Sequence, residues 1–279
     1  MKYIEWLNIW LNNYIKTSTK MRTYERYSQT VRVNILPVLG RYELNELTPL
    51  LLQTYVSDLL DCGNKRTGKG LSPNFVKSII SIIQNSLKTA HLLGYISEYT
   101  ANKVKYPKIV EKQVDCFTII EQKKIENSVM TCKKDKMRGI VICLYTGLRI
   151  GELLALTWCD VDFSKKMITV NKTCRDGTVN GVRSKIIDTP KTESSRRCVP
   201  ISSALLPILR EMKKKSKCEY VIADGEKPVF TRSYQRAFEL LLIKLKIPHK
   251  CFHSLRHTFA TRCLLYTSPI PRDTERSRM

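Results

Sequence analysis

Apolar positions in the first hundred residues recur at helical spacing and stop at turn chemistry four times. Tyr3, Trp6, Leu7, Trp10, Leu11 and Tyr14 fall on one face of a first helix and predict a core stripe. Arg22 to Leu36 predicts a second helix, closed by Pro37 and Gly40. Thr48 before Pro49 is an N-cap with proline in the first turn, and it opens a third helix through Leu60. Ser72 before Pro73 repeats the device and opens a fourth. That helix buries Val76, Ile79, Ile80, Ile83, Leu87 and Ala90, and Gly94 ends it. Four short helices predict a bundle. The loop ahead of the fourth, CGNKRTGKG, carries Lys65, Arg66 and Lys69, which are candidate phosphate contacts.

Periodicity lapses over residues 103–115, a basic stretch containing Pro107 that reads as an interdomain linker. Thr118 and Glu121 then form a capping box for a helix over Ile119 to Met130, and another helix is expected from Met137 to Tyr145. A further helix is expected to begin at about Leu148, after Gly147. From Met167 to Ile201 the period changes from helical to alternating: MITV, SKIIDT and RRCVPI predict strands of a small antiparallel sheet. Asp176-Gly177, Asn180-Gly181 and Glu193 to Ser195 supply its expected turns. Helices return over Ser203 to Lys215, Thr231 to Leu245 and from His253 onward. The expected fold is mainly α with a small antiparallel β-sheet: a helical domain over 1–102, the linker, and a second domain over 116–262.

Charge narrows the function. The chain holds 48 Lys and Arg against 25 Asp and Glu, a net +23 over 279 residues. Spread along the chain, that excess favours a polyanion, because neutralised phosphates release counterions. No apolar run approaches the ~20 residues of a membrane span, and the amino terminus, with Glu5 early, does not read as a signal peptide. A cytoplasmic protein without a membrane partner is expected. The ten cysteines include no Cys-x-x-Cys pair and read as reduced thiols, so no metal is expected.

Three segments carry candidate chemistry. In TGLRIGELLALTW, Arg149 and Glu152 lie three residues apart, a spacing that lets the carboxylate steady the guanidinium, while Ile150, Leu153, Leu154 and Thr157 turn inward. In HSLRHTFATR, His253, Arg256 and His257 share one helical face, opposite Leu255 and Phe259. Two histidines four apart can also bind metal, but the glutamate of HExxH is absent. In TPKTESSRR, Lys191 sits near the tip of a hairpin. The HSLRHTFATR segment concentrates an imidazole and a guanidinium at one point, as phosphoryl transfer requires.

Taken together and in this order, these segments resemble the catalytic domain of the tyrosine recombinases, the phage integrase family. The stretch ILPVLGRYELNELTP resembles that family's helical, SAM-like core-binding domain, so the resemblance covers residues 1–262. It implies site-specific DNA recombination through a 3′-phosphotyrosyl intermediate, without metal or nucleotide cofactor. Arg149 and Arg256 would clamp the scissile phosphate, Lys191 would protonate the departing 5′ oxygen, and His253 would assist proton transfer at the nucleophile. Glu152 and His257 would support them. Partners implied are double-stranded DNA at attachment sites, other recombinase protomers, and an excisionase. Two other readings stay open: a non-enzymatic protein that occupies attachment sites, and a type IB topoisomerase.

The family continues past His-x-x-Arg to a Gly-His or Gly-Trp element and then a nucleophilic tyrosine. Here 23 residues follow Arg256, and Tyr266 is the one tyrosine among them, in a proline-bearing stretch. It is a poor nucleophile candidate, so the nucleophile is expected to be missing and the sequence to be truncated. Residues 263–279, CLLYTSPIPRDTERSRM, show no amphipathic pattern and resemble the conceptual translation of a transposase-type sequencing-library adapter. We read them as a non-native tail.

Overall fold

Three buried aromatics of the first helix each aim a polar handle at one partner helix. In the computed structural model, which describes residues 1–109, 115–132, 134–179, 181–188, 196–225 and 227–267, helix α1 (Tyr3–Trp10) lies against α6 (Pro73–Leu92). The Tyr3 hydroxyl meets Ser86 Oγ at 2.7 Å, Trp6 Nε1 donates to the Ser86 carbonyl at 3.1 Å, and Trp10 Nε1 donates to Thr89 Oγ1 at 3.3 Å. Large rings thus bury their area without orphaning a donor. Burial pushes the Tyr3 phenol well above its ordinary range.

The expected stripe on this helix needs one correction. After Trp10 the chain widens into a π-turn at Leu11–Ile15 before closing as α2 (Lys16–Ser18). The wider turn advances the buried face by a residue. Ile15 is buried, and Tyr14, expected inside, is 38% exposed. The second expected helix is likewise not closed by Pro37. It runs as α3 (Met21–Thr30), a second π-turn (Val31–Ile35) and α4 (Leu36–Leu39), with Pro37 in the first turn of α4. There its missing N–H costs least. Helices α5 (Pro49–Cys62) and α6 open on the Thr48 and Ser72 caps, whose hydroxyls accept from Leu51 and Phe75 backbone N–H groups. The chain divides into two compact units, Met1–Lys112 and Gln113–Met279, and these helices share the apolar core of the first.

The second unit has its own core. Its helices are α7 (Ile119–Met130), α8 (Gly139–Thr146), α9 (Ile150–Ala155), α10 (Leu205–Lys215), α11 (Thr231–Lys244) and α12 (His253–Thr267). The Thr118–Glu121 capping box is formed. The β-region is not one sheet. Strand β2 (Met167–Val170) pairs antiparallel with β1 (Val161–Asp162) and with β5 (Arg197–Pro200). Strands β3 (Thr173–Val179) and β4 (Val182–Asp188) form a separate hairpin, and β6 (Ala223–Asp224) and β7 (Lys227–Pro228) a third, minimal one.

Asp176-Gly177, expected as a turn, lies inside β3 opposite Lys185 and Ser184. Long-range contacts override its local preference. The Asp176 carboxylate accepts from the backbone N–H groups of Thr231 and Arg232, capping the start of α11. Gly181, expected in a turn, takes φ +77° ahead of Val182, while Asn180 and Glu193 to Ser195 lie outside the described residues. Helix α12 runs to Thr267, five residues past the expected end of helical sequence at Arg262. CLLYT holds no residue that breaks a helix, and the first proline comes only at 269.

Candidate functional site

Gly147 starts the site by ending a helix. It closes α8 in the left-handed region, φ 63° and ψ 22°, and its N–H returns to the Cys143 carbonyl at 2.9 Å. A Cβ there would sit 2.5 Å from the Phe259 ring of α12, so glycine meets both a conformational and a packing demand. The chain then leaves helical geometry for two residues. Arg149 is extended, at φ −71° and ψ 152°, and is the N-cap of α9, not a member of a helix starting near Leu148. Its relation to Glu152 is therefore that of N-cap to third helical residue. The Glu152 carboxylate reaches back to accept from the Arg149 backbone N–H at 2.9 Å and from Arg149 Nη1 at 3.0 Å.

A residue that local spacing does not mark completes this arrangement. Arg197, the first residue of β5, pairs across the sheet with Val170. It donates from Nη1 to Glu152 Oε1 at 3.1 Å and from Nη2 to Oε2 at 2.7 Å. The Glu152 side chain, 7% exposed, thus lies between two guanidinium groups, of which Arg149 is 51% exposed. Burial pushes the Glu152 carboxyl up, but the bonds from Arg197 and Arg149 outweigh it and hold the group below the ordinary carboxylate range. The one signal in the sequence was that Arg197 opens the apolar run RCVPI.

Helix α12 supplies the opposite side. Arg256 Nη1 donates to the Gly147 carbonyl, tying this helix to the corner that carries Arg149. Burial lowers the Arg256 pKa, and the like charges of Arg149 and Arg197 lower it further, against Glu152. His253 and His257 place their rings 4.6 Å apart and nearly perpendicular. His253 is also shifted down, first by burial, then by His257, Arg256 and Arg149. The structure therefore brings Arg149, Glu152, Arg256, His253 and His257 together around the α8–α9 corner. Lys191 lies outside the described residues. Lys65, Arg66 and Lys69 belong to the first unit, on an exposed turn closed by Asn64, whose N–H donates to the Lys69 carbonyl at 2.8 Å.

Two supports hold the corner in place. The β3–β4 hairpin backs onto α9, where a Cβ on Gly151 would meet Thr173 Oγ1 at 2.5 Å and the Cys174 carbonyl at 2.8 Å. Lys185 of β4 donates to the Leu154 carbonyl at the end of α9 and lies 4.5 Å above the Tyr220 ring, and burial lowers its pKa. Helix α12 is pinned to the start of α7: the Phe117 N–H donates to Thr258 Oγ1 at 2.8 Å, and Arg262 bonds Gln122. Among the described residues no three His, Cys, Asp or Glu side chains gather as a metal site. No described helix is long and apolar enough to cross a membrane.

Two bidentate-capable arginines converging on one point suit a tetrahedral oxyanion, and an imidazole beside them suits proton transfer. Comparison with known proteins bears on that chemistry. The chain is 28% identical over 298 residues to a XerC-like tyrosine recombinase of Caldanaerobacter subterraneus, an alignment covering 96% of this chain and 73% of that one. Other curated relatives are spanned over as little as 37% of their length. The fold is that of the Tn1549 transposon integrase in complex with a circular intermediate DNA. That likeness has a TM-score of 0.80 and 20% identity, over 96% of this chain and 88% of the other. A lambda integrase tetramer bound to a Holliday junction matches at a TM-score of 0.71 and 17% identity, over 100% and 80%. The N-terminal SAM-like domain of phage integrases matches residues 3–60 and the phage integrase family model matches residues 116–271, so the chain belongs to the phage integrase family, the tyrosine recombinases.

Proposed function

We propose that the chain carries the core-binding and catalytic portions of a site-specific DNA recombinase, which cuts and rejoins duplex DNA through a 3′-phosphotyrosyl link. The observation that carries the reading is the convergence of Arg149 and Arg256 on one corner, joined by the Arg256 bond to the Gly147 carbonyl. Both arginines stabilise the charge that builds on the non-bridging oxygens as the phosphate becomes pentacoordinate. In other phosphoryl transfers an arginine so placed is worth ~10³–10⁵ in rate.

His253, whose pKa is lowered by partial burial and by its neighbours His257, Arg256 and Arg149, accepts or relays the proton of the attacking hydroxyl. Lys191 donates to the departing 5′ oxygen. Glu152 orients Arg149, His257 packs against His253, and Lys65, Arg66 and Lys69 contact phosphates from the first unit. Tyr266 is not the nucleophile, and residues 263–279 take no part. The partners are attachment-site DNA, further protomers that assemble on it, and an excisionase. Such a protein works in the cytoplasm.

The test pairs binding with cleavage. The chain binds duplex DNA with an affinity that falls steeply as salt rises, because phosphate contacts dominate it. Arg149→Ala and Arg256→Ala leave that affinity within about three-fold, since each is one phosphate contact of many. On a nicked suicide duplex the chain forms no covalent adduct. Salt-insensitive binding would remove the DNA reading, and an adduct mapped to Tyr266 would overturn its exclusion.

A further inference from the structure

We propose that Arg197 is a positioning residue of the phosphate site: by holding both oxygens of Glu152 it prevents that carboxylate from drawing the Arg149 guanidinium inward. The inference rests on the phosphate-binding reading above. Its basis is the hydrogen-bond saturation of one buried carboxylate. Glu152 accepts four N–H groups, two from the Arg197 fork, one from Arg149 Nη1 and one from the Arg149 backbone. An ionised carboxylate has about four acceptor sites, so all are taken. Arg149 therefore spends one side-chain N–H on Glu152 and keeps its half-exposed head directed outward.

Without Arg197 the balance changes. A carboxylate this buried needs a cation, and Arg149 is the other guanidinium bonded to it. A fork-on-fork pair between Arg149 and Glu152 would then form, because bidentate pairing is the stronger geometry. That pairing consumes the donor edge a phosphate would use. Burial of Glu152 is thus compensated from β5, and the N-cap of α9 can present Arg149 beside Arg256.

The experiment uses the 279-residue chain and inorganic sulfate, a tetrahedral dianion whose charge is constant near neutral pH. Arginine Nε–H resonances report where it binds. In the unaltered chain sulfate shifts the Arg149 and Arg256 signals together. Arg197→Ala weakens that binding about tenfold and leaves the Arg149 Nε–H more ordered without sulfate, as it pairs with Glu152. Arg197→Lys weakens it nearly as much, because one ammonium cannot span both oxygens.

Adding Glu152→Gln to Arg197→Ala restores affinity to within about twofold of Glu152→Gln alone, the coupling expected if Arg197 acts through that carboxylate. A charge-only role predicts otherwise: Arg197→Lys would bind like the unaltered chain, and the Arg197→Ala loss would persist beside Glu152→Gln. Either result overturns the positioning role. A role confined to fold stability would lower the melting temperature and leave sulfate affinity at low temperature unchanged, which also overturns it. Failure of sulfate to shift Arg149 or Arg256 in the unaltered chain would instead remove the phosphate site itself, and this inference with it.

Discussion

Gly147→Ala separates two costs at the corner that holds Arg149 and Arg256. The first is conformational: at φ +63° a Cβ is strained by about 1–2 kcal/mol. The second is steric. The added Cβ would lie 2.5 Å from Cδ1 and 3.0 Å from Cε1 of the half-buried Phe259 ring of α12, so that ring must move. Displacing a packed ring costs about 1–3 kcal/mol more, so the total is about 2–5 kcal/mol. Gly225, in the turn between β6 and β7 of the same unit, has nearly the same φ, +64°, but nothing within 4 Å of its added Cβ. Gly225→Ala carries the conformational cost alone, about 1–2 kcal/mol. Native-state hydrogen exchange at the α8 amides of Cys143 to Thr146 measures the opening free energy of this unit for both variants, without assuming that the whole chain unfolds in one step. Equal losses for the two variants would refute the assignment of the extra cost to Phe259. Movement of Phe259 also shifts Arg256, three residues earlier on α12, so Gly147→Ala should weaken sulfate binding and Gly225→Ala should not.

Other expectations follow from the charges. Glu152 titrates below its ordinary 4.5 in the folded chain, so its ion pairs add stability above that pH and lose it as pH falls through the folded value. The stability difference between the unaltered chain and Glu152→Gln should therefore be constant from pH 7 to 5 and shrink below about pH 4.5; a difference that grows on acidification would reverse the sign. The His253 C2–H proton should titrate with a midpoint below 6.5, and Arg149→Ala should move that midpoint up by removing a like charge. A midpoint above 6.5 would contradict the neutral imidazole on which its proton-transfer role depends.

Much of the chain was legible because its signals are local. Thr48, Ser72 and Thr118 each cap the helix expected of them, since a capping hydroxyl and its target N–H lie three residues apart and need no tertiary partner. The helix from Thr231 ends at Lys244, one residue short of its expected end. Arg149, Glu152, His253, Arg256 and His257 were picked out by short-range spacing and order, and the fold gathers them.

The tertiary structure decided what depended on distant partners. The turn after Trp10 widened into a π-turn that packs against α3, and that exchanged Tyr14 for Ile15 in the core. Asp176-Gly177 stayed in a strand because seven cross-strand pairs and the start of α11 outweighed its turn preference. Arg197 was marked in the sequence only as the opening of the run RCVPI. It lies 45 residues from Glu152, and its meaning exists only once β5 pairs with β2 and delivers its fork to a carboxylate on α9. Local sequence determines which segments coil, cap and turn, because those free energies are settled within a few bonds. Which charges face each other across a buried gap is settled only by packing, and there this chain places the arginine that holds Glu152.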